Sequence, residues 1–68
     1  MITSVGKRVR SDRKALGLTM RELAEKSTVT RSAIGHIETG RSRNPGVYTI
    51  KKLAVALKCD ASWLAFGE

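Results

Sequence analysis

The chain has 68 residues, of which thirteen are Lys or Arg and six are Asp or Glu, leaving a net charge of +7. That length makes one domain, near the lower limit for a core without staples; one cysteine, Cys59, excludes an internal disulfide framework, and cysteine and histidine together are too few for a zinc site within one chain. There is no 18-residue apolar run and no signal-peptide pattern, so a cytoplasmic protein without metal or membrane partner is expected, and the charge density points to a polyanion.

Thr3 or Ser4 can cap a first helix over about residues 4–15, with Ile2, Val5, Val9 and Leu16 spaced for one stripe. Lys7, Arg8, Arg10, Arg13 and Lys14 occupy its other faces, offset only by Asp12. These cations read either as a solubilising surface or as a helix lying across a phosphate backbone. Gly17 ends the helix.

Thr19-Met20-Arg21-Glu22 is a capping box, in which hydroxyl and carboxylate each satisfy the other residue's amide. Met20, Leu23, Ala24 and Ser27 then share a face, with Arg21, Glu25 and Lys26 outside. The rhythm breaks at Ser27-Thr28. Thr30 is a second N-cap, placing a third helix at about Arg31 to Thr39 with Gly40 suited to the left-handed position that ends it.

Projected at 100° per residue, that third helix puts Ala33, Ile34, Ile37 and Glu38 on one half and Arg31, Ser32, Gly35 and His36 on the other. One half is core-like; the other offers donors and acceptors without a bulky apolar group. Gly35 costs roughly 1 kcal/mol in a helix interior relative to alanine. A glycine on an exposed face makes sense where something must come close to the backbone.

Arg41, Arg43 and Asn44 follow in a loop closed by Pro45-Gly46, where phosphate contacts would be wanted. Thr49 is placed to cap a fourth helix with Ile50, Leu53, Ala54 and Leu57 inward and Lys51, Lys52 and Lys58 outward. Asp60 caps a short fifth helix, Ala61 to Phe66, stopped by Gly67; Trp63 and Leu64 complete the core. The fold class expected is all-α, one five-helix domain over residues 1–68. With Tyr48, Trp63 and Phe66 the only aromatics, base-stacking binders of single strands are disfavoured. No nucleophile–base pair, metal cluster or phosphate-cradling glycine loop is visible, so neither an enzyme nor a cofactor is expected.

With LGLT-x-x-ELA, I-x-x-IE-x-G, LAxAL and D-x-x-WL-x-x-G in order, the sequence resembles the phage repressor and Cro family (lambda repressor-like) of helix-turn-helix regulators from Val5 to Gly67. The resemblance implies a helix-turn-helix made by the second and third helices and a homodimer bound to a palindromic double-stranded operator. It implies base readout by Arg31, Ser32, Gly35 and His36. Phosphate contacts would fall to Arg10, Thr19, the Met20 amide, Thr30, Thr39, Gly40, Arg41, Arg43 and Asn44. It also implies an internal ion pair between Arg13 and Glu38. The dimer surface is expected at the end of the fourth and fifth helices, around Cys59, Ser62 and Phe66.

Two departures stand out. Met20 replaces a glutamine common in relatives, and Thr28 stands where they favour glycine, so the turn either holds a strained left-handed residue or is rearranged. The chain reads either as a complete Cro-like protein or as the N-terminal half of a longer repressor. An antitoxin that represses its own promoter, a restriction–modification controller and a nonspecific nucleoid protein are the other functions that this pattern allows.

Overall fold

The computed structural model describes residues 4–67, and among them are five helices: α1 Val5–Ala15, α2 Met20–Ser27, α3 Arg31–Glu38, α4 Val47–Leu57 and α5 Ala61–Phe66. Four begin on a side chain that satisfies an orphan amide. Ser4 accepts from the Lys7 amide, Thr19 from Glu22, Thr30 from Ala33 and Asp60 from Trp63. The Thr19 box is reciprocal, since the Thr19 amide donates to Glu22 Oε1 at 2.9 Å.

The core is built from one stripe of each helix. Val9, Leu23, Ile34, Ile37, Leu53 and Leu64 are fully buried, and Val5, Val29, Ile50, Ala54 and Leu57 close around them. Burying side chains of this size contributes about 1.5–3 kcal/mol each. The helix α1 packs on α3, α4 and α5; α2 packs on α3 and α4; α4 packs on α5. Trp63 is half-buried against this cluster.

Three sequence expectations are corrected. Thr49 does not cap α4, which starts three residues earlier, at Val47 from Gly46 (φ −63°, ψ 160°), with no side-chain cap bond. The chain turns helical as soon as it leaves Pro45-Gly46, a glycine being an acceptable N-cap without a side chain. Leu16 is not part of the α1 stripe: it is 44% exposed, because the helix stops at Ala15 and the left-handed Gly17 lets Leu18 take the inward place. Arg8 is not on a solvated cationic face but buried with its charge engaged, whereas Arg13 is buried in the expected pair with Glu38. Ile2 and Thr3 fall outside the described residues.

Thr28 keeps the left-handed conformation, at φ 61° and ψ 14°. The turn between α2 and α3 is therefore not rearranged. Buried Ser27 helps to hold it, its Oγ accepting from the Val29 amide at 3.2 Å.

Candidate nucleic-acid interface

The outward half of α3 is set by what its inward half must bury. Ile34 and Ile37 are in the core, which turns Arg31, Ser32 and His36 to the exterior. Glu38 is drawn inward by Arg13, whose Nε and Nη2 donate to its two carboxylate oxygens at 2.8 and 2.9 Å. The Arg13 side chain is 10% exposed and that of Glu38 2%, and Arg13 Nη1 also donates to the Leu18 carbonyl. The hydrogen bonds to Glu38 raise the Arg13 pKa above its ordinary value against the opposing effect of burial. A fork of this kind fixes both rotation and tilt of the end of α3.

Gly6 adds a second constraint at the same place. A Cβ there would collide with the Ile37 carbonyl, so α1 lies directly on the backbone of the last turn of α3. Gly35 is the opposite case: a Cβ would meet nothing within 4 Å, so packing does not require a glycine.

Eight of the candidate residues line three depressions, and Thr30, Ser32, Gly35, Arg10 and Arg41 line none of them. Thr19, Met20 and Arg31 share one with Arg21 and Arg13, at the N-terminal end of α3. His36 and Asn44 share a second with Ala33, Ser42, Gly46 and Thr49, between α3 and the start of α4. Thr39, Gly40 and Arg43 line a third on the α1 side, with Ser4, Gly6 and Phe66. Arg10 and Arg41 are exposed.

Hydroxyl chemistry separates the three threonines. Thr19 and Thr30 use their oxygens as acceptors for the caps, which leaves each hydroxyl proton able to donate to a phosphate. Thr39 directs its hydroxyl proton to the Gly35 carbonyl at 2.9 Å, so its side chain must rotate before it can donate outward.

A family model described as helix-turn-helix matches residues 9–64. The chain belongs to the helix-turn-helix family. It is 44% identical over 63 residues to the HTH-type transcriptional repressor RghR of Bacillus subtilis, covering 93% of this chain and 47% of that protein. The fold is similar to that of the biofilm master regulator SinR in complex with DNA (TM-score 0.85, 32% identity, 88% of this chain and 95% of that one). It is similar also to the P22 c2 repressor in complex with a synthetic operator (TM-score 0.88, 27% identity, 97% and 98%). The chain spans about half the length of the curated relatives it matches.

In this helix-turn-helix domain, two features escaped the sequence reading. Arg21 joins the Arg31 depression; its outward place on α2 was legible, but nothing in the sequence showed which residues would surround it. The uncapped start of α4 beside His36 and Asn44 was hidden by the misplacement of its first residue.

The residues expected at a dimer surface divide. Ser62 and Phe66 line an open groove of about 360 Å³ with Val5, Val47, Ile50 and Ala65, rimmed by Arg43 and Lys51. Phe66 is 74% exposed and Val47 69%. Cys59 is apart from this groove and half-buried; its pKa is raised to about 11 by burial first and then by its hydrogen bond to Asp12.

Proposed function

We propose that this domain is a dimeric transcription regulator that binds palindromic operator DNA, a repressor of the phage or prophage kind acting by occlusion of polymerase. The reading rests above all on α3. Its outward face carries Arg31, Ser32 and His36 around a glycine for which the packing has no use. An exposed helix of polar readers with an open backbone suits the major groove, where arginine can grip guanine O6 and N7 as a fork. Thr19, the Met20 amide, Thr30, Gly40, Arg41, Arg43, Asn44 and Arg10 would hold phosphates, with Thr39 joining after its hydroxyl turns. The net charge of +7 favours binding through counterion release. The relatives named as transcriptional regulators and the solved complexes with DNA support the same reading. A second copy would meet the first along the groove at Ser62 and Phe66, where an exposed aromatic stands beside a depression of apolar residues.

The test is selection of duplex DNA from a random pool, with wild type and Arg31→Ala in parallel. The expected product is a palindromic motif with half-sites about 34 Å apart, from which the mutant loses a guanine. A pool without an enriched motif, bound equally less well by the mutant, would reduce the domain to a nonspecific basic protein.

A further inference from the structure

The two buried arginines of α1 face different partners. Arg13 grips α3 through Glu38. Arg8, 7% exposed, donates from Nε to the Leu64 carbonyl and from Nη2 to the Ala65 carbonyl, each at 2.9 Å. These are among the last carbonyls of α5, which lack partners within the helix. Beyond them Gly67 turns left-handed (φ 78°), and a Cβ there would stand 3.1 Å from Arg8 Nη1, so the chain folds closely over the guanidinium.

The consequence is geometric. A helix of six residues cannot hold its own ends, and two adjacent carbonyls held by one planar fork fix both its rotation and its axial position. Phe66, the next residue, is thereby held at the edge of the groove. The same α1 rests on the backbone of α3 through Gly6. A single helix thus joins the reading helix to the surface at which a second copy would meet it.

We propose that Arg8 is a positioning residue for paired-site binding: it sets the angle between α5 and the rest of the domain, and so the distance between the two reading helices of a dimer. This rests on the dimeric operator-binding reading above. A tilt of roughly 10° acting over about 17 Å, half the spacing of two half-sites, moves a reading helix by about 3 Å, close to one base step. Each reading helix would keep its own base contacts, because the two carbonyls that Arg8 grips belong to α5 and not to α3.

Arg8→Met and Arg8→Lys test this, lysine keeping the charge without the two-carbonyl fork. Equilibrium binding would be measured on three kinds of duplex: two half-sites at the selected spacing, one half-site with the other scrambled, and spacings changed by one base pair either way. For Arg8→Met the affinity for one half-site stays within about twofold of wild type, while the gain from adding the second half-site falls about tenfold or more. Preference among spacings broadens. Arg8→Lys lies between the two. Proportional losses on single and paired sites would mean that Arg8 only stabilises the fold, and would overturn the proposal. An unchanged gain and spacing preference would overturn it too, as would loss of the helical circular dichroism signal in both variants. If wild type gains nothing from a second half-site, the dimeric reading itself fails and the proposal goes with it, an outcome visible before either variant is measured.

Discussion

Arg13 and Glu38 form the contact whose removal should cost most. Truncating one partner leaves the other charged and buried, a loss of about 3–5 kcal/mol. In a domain of this size each kcal/mol moves the melting temperature by about 4–8 °C, so Glu38→Ala should melt well over ten degrees below wild type; a calorimetric shift of a degree would deny the pair its role. Gly35 predicts the opposite balance. Alanine fits the space and should raise stability by about 0.5–1 kcal/mol, yet its methyl would stand on the proposed DNA face. A variant that melts higher and binds a selected operator more weakly would fit that reading; one that melts higher and binds equally well would return Gly35 to an unconstrained surface. Cys59 gives a chemical check, since its thiol, raised to about 11, should react slowly with iodoacetamide near neutrality, with the rate climbing only as the solution approaches that pH.

Among the elements, helix starts were legible wherever a side chain makes the cap. Thr19, Thr30 and Asp60 could each be read directly, because a cap is a local contact between residues three apart. The start of α4 could not, because Gly46 caps without a side chain and Thr49 offered a false hydroxyl. Arg8 was misread for a different reason: its partners are the carbonyls of Leu64 and Ala65, and a backbone acceptor so far along the chain leaves no mark in a side-chain pattern. Gly6 was silent for the same cause. The Arg13–Glu38 pair was legible only through family resemblance, although the inward place of an acid on α3 hinted at a partner. Within α2 the capping box carries a pH dependence. The Glu22 carboxyl is held below its ordinary value, first by the Thr19 amide and then by the Thr19 hydroxyl. Its contribution is therefore present above the unfolded value and is lost as the pH falls through the lowered folded one. Glu22→Gln, which can still bond the amide, should lack this component when helicity is followed from about pH 5 to about pH 2. At the end of α2, Thr28 is β-branched at φ 61°. Thr28→Gly should relieve a cost that outweighs the glycine entropy, stabilising the domain by about 1 kcal/mol in urea titration.

Across the whole molecule, charge and shape act together. The domain measures 29 × 22 × 20 Å, so two copies in contact can place reading helices about 34 Å apart without a spacer between them. Binding should weaken linearly on a log–log plot against salt, with a slope near −0.9 for each phosphate neutralised. Arg41→Ala should flatten that slope by about 0.9 and weaken all sequences alike, whereas Arg31→Ala should change which sequences are bound. An unchanged slope would remove Arg41 from the phosphate set. The Arg8 bonds to α5 carry one more consequence, in the order in which the molecule comes apart. The six residues of α5 have no independent helical stability, and their last carbonyls depend on a side chain 56 residues earlier in the chain. Opening of α1 therefore strips α5 of those bonds and leaves it its packing on α4. In hydrogen exchange the amides of Leu64 and Gly67 should share the protection of Val9 rather than that of α4 beside them, making the first and last helices one cooperative unit despite lying at opposite ends of the sequence.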